Sequence, residues 1–151
     1  MTVPAKFNPH KSSRSLDDLL LPVKIRALDL IHACRMEGIE LLVTSTYRSP
    51  VDQDSLYAQG RTAPGRIVTN ARAGQSLHQY RVAFDVVPLR DGKPVWGTTG
   101  DDYRLWLRVG ELGEAQGLEW AGRWKRFREF PHFQYAGGLT LADLQAGKVP
   151  A

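Results

Sequence analysis

Two short stretches hold the residue types that could bind a divalent cation and use it. The first is Ser76–Leu77–His78, followed seven residues later by Asp85. Asp85 lies in an apolar run. Val82, Phe84 and Val86 fall on one side of an extended chain, and Ala83, Asp85 and Val87 on the other. A strand apolar on both sides is buried, and a lone buried carboxylate is costly unless it is paired or bound to a cation. The second stretch is Glu129–Phe130–Pro131–His132–Phe133–Gln134. Pro131 argues against a continuous helix there, so Glu129 belongs to a loop entering a strand on which His132 and Gln134 share a face. Two imidazoles and one carboxylate suit zinc, whose catalytic sites commonly use three protein ligands and leave a fourth position to water. A water so placed loses its proton near neutral pH, and Glu129, beside His132 in sequence, is the natural base. Taken singly each residue has an inert reading: a core or loop histidine, an aspartate paired with an arginine, a solvated glutamate.

The elements that must position these groups follow from patterning. Ser15 caps a turn with Asp17 and Asp18 in it, and Pro22 marks a fresh start. Val23, Ala27, Leu30, Ile31 and Cys34 recur at helical spacing, and Gly38 ends that helix. His32 falls on the opposite side and faces solvent. Glu40 to Thr46 reads as a strand, and Ser49–Pro50 starts a short helix reaching about Gly60. Arg61 to Gln75 reads as an irregular basic loop, with Ile67 and Val68 a possible short strand. Val82 to Val87 is a strand followed by an Asp91–Gly92 turn. Asp101 to Gln116 has helical character, offering Tyr103, Leu105, Trp106, Val109 and Leu112 to a core. Pro131 to Tyr135 forms a last strand, and Thr140 with Asp143 a capping pair. Strands and helices without strict alternation give an α+β class. The expected domains are a loose arm over residues 1–14 and one catalytic domain over residues 15–151.

These motifs resemble the zinc D,D-peptidase and L-alanyl–D-glutamate peptidase family, with its VanY-type and phage endolysin members. Thr44–Ser45–Thr46–Tyr47–Arg48–Ser49 is similar to the family's Tyr-Arg-Ser segment, and Gln53 with Leu56–Tyr57–Ala58–Gln59–Gly60–Arg61 follows at the usual distance. Ser76-x-His78 and Ala83-x-Asp85 look like its first metal signature. Gly117–Leu118–Glu119–Trp120, Trp124 and Glu129-x-Pro131-His132-Phe133 look like its second.

The resemblance implies a small single α+β domain of the hedgehog/DD-peptidase type, with flanking helices and a mainly antiparallel sheet under a zinc cleft. It implies one Zn2+ on His78, Asp85 and His132, Glu129 as acid/base, and Arg48 steadying the carbonyl oxygen as it gains charge. Ser76 and Gln53 fall near substrate in similar proteins. Two departures stand out: Arg81 replaces a glycine that would allow a positive φ, implying another backbone path or a side chain reaching the cleft, and Ala121 stands where a glycine often follows the tryptophan.

The implied reaction is hydrolysis of the L-alanyl-D-glutamate bond of bacterial peptidoglycan stem peptides, as in the endolysin branch. D-alanyl-D-alanine carboxypeptidase or dipeptidase action, and a non-catalytic wall-binding module, are the alternatives. Lys and Arg number 20 against 16 Asp and Glu, a net +4 that suits an anionic partner without choosing one. Arg61, Arg66 and Arg72 either meet stem-peptide carboxylates or form a solvated loop, while Trp106, Trp120 and Trp124 read as core. No nucleic-acid motif is present. Cys34, the single cysteine, excludes an internal disulfide. Residues 1–15 lack the apolar segment of a secretory signal, and no apolar run is long enough to insert in a membrane. The expectation is a monomer made in the cytoplasm, acting on the wall from the periplasm.

Overall fold

The computed structural model describes residues 6–151. It contains helices α1 (Leu21–Met36), α2 (Pro50–Ala58), α3 (Gly100–Ala115) and α4 (Leu141–Gln145). Its strands are β1 (Glu40–Ser45), β2 (Ala83–Arg90), β3 (Lys93–Pro94), β4 (Glu119–Trp120) and β5 (His132–Gln134). Every strand pairing is antiparallel. The order is β1-β2-β5-β4, with the short β3 returning against β2 through the Asp91–Gly92 turn. This is the α+β class expected. Ile67 and Val68 form no strand.

The register of β2 against β5 decides where the chemistry lies. Phe84 pairs with Phe133, and Asp85 with His132. Successive side chains point to opposite faces. The Phe84 and Phe133 rings therefore stack inside the core at 5.8 Å, while the next pair projects from the other face. Behind the sheet, α1 contributes Val23, Ala27, Leu30 and Cys34, all fully buried, and α3 contributes Trp106 and Val109. Burial pushes the Cys34 thiol up to about 12, so it stays protonated and inert.

Helix α3 docks through glycine. A Cβ on Gly110 would lie 2.2 Å from the Trp120 ring, and one on Gly113 2.4 Å from the Phe133 ring. The helix backbone thus rests directly on the aromatic layer, where the sequence pattern pointed to larger side chains. Tyr103, expected in the core, is exposed.

The loose arm expected over residues 1–14 needs correction. Residues 1–5 lie outside the described part. Beyond them the segment is fastened. Ser13 donates its N–H to the Tyr47 carbonyl (2.9 Å) and accepts from the Thr46 N–H (2.9 Å), and the Tyr47 hydroxyl donates to the Pro9 carbonyl (2.6 Å). The backbone polar groups of this polar stretch find partners in the strand exit that carries Arg48. Among the described residues no helix is long and apolar enough to cross a membrane.

Candidate metal centre and its cleft

His78 sits in a 3-10 turn, Leu77–Tyr80, whose N-terminus is closed by a reciprocal pair of side chains: Ser76 Oγ accepts the His78 N–H, and Gln79 Oε1 accepts the Ser76 N–H. The turn ends at Arg81 with φ 64°, in the left-handed region. The backbone path that a glycine would take is kept, contrary to expectation. Arginine pays about 1 kcal/mol or more for that conformation. It recovers contacts on the side away from the cleft, where Nε donates to the Asp18 carbonyl (2.7 Å) and the guanidinium lies 3.9 Å over the Phe7 ring.

The turn delivers His78 to the Asp85–His132 pair. His78 Nε2 lies 3.3 Å from Asp85 Oδ1 and 3.2 Å from His132 Nδ1, and His132 Nδ1 lies 3.0 Å from the same carboxylate oxygen. Bonds of about 2.0–2.2 Å in a tetrahedral zinc site put ligand atoms about 3.3–3.6 Å apart, close to these separations. The structure brings His78, Asp85 and His132 together, with ligand atoms that all fall within 4.8 Å of one another and could hold one ion.

Hydrogen bonding fixes which nitrogens face inward. His78 Nδ1 lies 2.8 Å from the Thr46 carbonyl, which can only accept, so Nδ1 carries the proton. Gln134 Nε2 donates to Glu119 Oε2 (2.7 Å), which turns Gln134 Oε1 toward His132 Nε2 (2.8 Å). His132 Nε2 is then the protonated nitrogen. Two bare nitrogens and a carboxylate face each other, an arrangement that calls for a cation or a proton among them. The donor set therefore fits a borderline divalent ion such as zinc.

Electrostatics agree. Burial alone would raise the Asp85 carboxyl, yet the two imidazoles hold it far below the usual carboxylate range. Burial lowers His78 and favours its neutral, ligating form. Burial works the same way on His132, but the Asp85 bond outweighs it and raises that imidazole. At His132 a proton would therefore compete with a bound metal.

The Glu119–Gln134–His132 relay was not legible beforehand. Outer partners of metal-bound histidines typically account for 10- to 100-fold in affinity (order of magnitude). Gln134→Ala is expected to weaken zinc binding by about that factor, read by competition with a chelator at fixed pH. An unchanged affinity would remove the relay from metal binding.

The centre lies in a cleft of about 1100 Å³ also lined by Arg48, Ser76, Trp124, Arg128 and Glu129. Glu129 Oε2 is 3.8 Å from His132 Nδ1, and burial raises its carboxyl above the ordinary range. The Ala121 carbonyl accepts the N–H of both Trp124 (3.1 Å) and Glu129 (3.3 Å), closing the loop that presents Glu129. Arg48 Nη1 donates to Gln53 Oε1 (3.0 Å) while Nη2 lies 3.7 Å from Asp85 Oδ2.

Gln53 departs from its expected place near substrate. It is fully buried, holding Arg48 and donating Nε2 to the Ala71 carbonyl (2.7 Å). Ser76 does line the cleft, with its hydroxyl engaged in capping. Trp106 and Trp120 are core, whereas Trp124 stands at the cleft, its ring 5.6 Å from His132 and its Nε1 donating to Glu119 Oε1 (3.2 Å). Exposed Trp96 also lines the cleft, and nothing in its sequence context marked it.

Comparison with known proteins bears on this arrangement. Residues 69–135 match a family described as D-alanyl-D-alanine carboxypeptidase. The chain is 39% identical over 134 residues to the peptidoglycan L-alanyl-D-glutamate endopeptidase CwlK of Bacillus subtilis (strain 168), covering 82% of this chain and 80% of that one. The Serratia marcescens L-Ala D-Glu endopeptidase ChiX superposes with a TM-score of 0.56 at 25% identity, over 86% of each chain. The D,D-pentapeptidase VanY of a VanB-type vancomycin resistance cassette, solved with Zn(II), shares the fold with a TM-score of 0.55 at 18% identity, over 85% of this chain and 78% of that one.

Proposed function

The chain belongs to the peptidoglycan peptidase family that holds the D-alanyl-D-alanine carboxypeptidases and the L-alanyl-D-glutamate endopeptidases, and from that premise we propose that it is a zinc-dependent endopeptidase cutting the L-alanyl-D-glutamate bond of stem peptides. The observation that carries the proposal is the His78–Asp85–His132 cluster with Glu129 beside it in an open cleft. The choice of bond follows the relative that is 39% identical.

One ion held by His78, Asp85 and His132 would supply Lewis acidity toward the scissile carbonyl and toward water. The side chains do the rest. Glu129 takes the proton of the attacking water and returns one to the departing amine. Arg48, held in place by Gln53, faces the carbonyl oxygen as it gains negative charge. Gln53 is thus a positioning residue, and Ser76 keeps His78 aimed by capping its turn. Residues 15–151 form the catalytic domain, with the segment before it buttressing the Arg48 strand exit. Its place of action is the peptidoglycan of the periplasm.

The test is digestion of purified peptidoglycan by zinc-loaded protein, with products identified by mass spectrometry. Stem peptides beginning at D-glutamate are expected. Release of D-alanine alone would replace the endopeptidase reading with a carboxypeptidase. Wall binding without any cleavage, at every zinc level, would leave a binding module.

A further inference from the structure

Cutting ahead of a glutamate puts that residue on the amine side of the scissile bond. Glutamate has two carboxyl groups, and only one can carry the chain onward. The other is a free anion a few bonds from the reacting nitrogen, ionised at neutral pH. A cleft specific for this bond needs a cation for it. Of Arg61, Arg66 and Arg72, the arginines that the sequence offered for such carboxylates, none lines the cleft, and Arg61 and Arg72 are committed elsewhere. Arg61 donates to the carbonyls of Tyr57 (2.7 Å) and Thr69 (2.9 Å) and to Asn70 Oδ1 (2.8 Å), and Arg72 donates to the Tyr57 hydroxyl (3.2 Å). Both lie over the Tyr57 ring, at 3.9 and 4.8 Å, and neither lines the cleft.

Only Arg48 and Arg128 bring positive side chains of lysine or arginine to the cleft wall among the described residues. Arg48 is aimed at the ligand cluster by Gln53 and Asp85. Arg128 is exposed, donates only its Nε to the Trp124 carbonyl (3.3 Å), and makes no ion pair among the described residues. Its two terminal nitrogens are available as a fork that matches a carboxylate. Arg128 directly precedes Glu129, so an anion bound there lies next to the base. Lys125 and Arg126 in the same loop add to the positive field. Phe127, between Arg126 and Arg128, is held at φ 50°, a conformation side chains rarely adopt and one that clusters at ligand-binding segments.

We propose that Arg128 is the specificity residue that reads the glutamate carboxylate not used by the chain, on the leaving side of the scissile bond. This rests on the endopeptidase reading above. The experiment compares kcat/KM on two synthetic L-alanyl-D-glutamyl stem peptides, one with that carboxyl free and one with it amidated. The native enzyme is expected to prefer the free carboxylate by about 10- to 100-fold, the usual worth of a charge-assisted hydrogen bond. Arg128→Gln is expected to bring the ratio near one, and Arg128→Lys to restore part of it. A native enzyme that cleaves both peptides equally, or an Arg128→Gln enzyme that keeps the native ratio, would overturn the assignment of Arg128 while leaving the endopeptidase reading intact. A native enzyme that cleaves neither peptide would instead sink the endopeptidase reading, and this assignment with it.

Discussion

Glu129→Gln is expected to keep zinc at native stoichiometry and lose about 10²- to 10⁴-fold in kcat/KM, the range that a positioned general base contributes. The separation of effects follows from where Glu129 stands. Its Oε2 is 3.8 Å from His132 Nδ1, near the ligand atoms but outside the converging set of His78, Asp85 and His132. Its side chain makes no hydrogen bond among the described residues. Its loop is fastened through the backbone, by the bond from the Glu129 N–H to the Ala121 carbonyl and from the His132 N–H to the Glu129 carbonyl (3.4 Å). An isosteric amide keeps all of that and removes only the ability to accept a proton. Burial raises the native carboxyl above its ordinary value, which favours a group that must both take and return a proton. Metal content and turnover of peptidoglycan, measured on the same preparation, check the result. Near-native turnover would take Glu129 out of the mechanism.

Asp85→Ala should do the reverse and remove the metal. Asp85 is the element shared by both imidazoles and Arg48, and the loss of a direct ligand should exceed the 10- to 100-fold (order of magnitude) typical of outer partners. Thermal unfolding gives a readout independent of activity. A ligand that binds only the folded state stabilises it by about 4 kcal/mol at 1,000 times its dissociation constant, so the native protein should melt markedly higher with zinc. The Asp85→Ala protein should show little or no such rise. Its own melting without zinc should fall below that of the metal-free native protein, because Asp85 pairs with both imidazoles and Arg48, so the quantity compared is the rise that zinc produces in each protein. A variant that still carried stoichiometric zinc would place the ion elsewhere.

What the sequence made legible was what is encoded locally. The Ser15, Ser49 and Thr140 caps, the Val23–Cys34 stripe, the Asp91–Gly92 turn and the apolar run around Asp85 each announce themselves within a few residues. The convergence of His78, Asp85 and His132 was foreshadowed too, by a carboxylate in an apolar run and by the family resemblance of the two motifs. What escaped depends on contacts between distant segments. Gln53 looks like any polar helix residue until α2 folds over Arg48. Trp124 cannot be told from Trp120 without knowing which faces the core. The glycines of α3 carry no hydropathy signal, and their role exists only against the Trp120 and Phe133 rings. Arg81 misled for another reason: a left-handed residue need not be glycine when its side chain finds the Asp18 carbonyl.

The pairing of Phe84 with Phe133 and of Asp85 with His132 ties two decisions into one. Sliding β5 by a single residue would drive a ring into the cleft and an imidazole into the hydrophobic interior, so greasy contacts alone select the alignment that leaves the ligands facing each other. Assembly of the hydrolytic machinery therefore needs no ion as a template. An ion arriving later would meet two strands whose alignment the interior has already chosen.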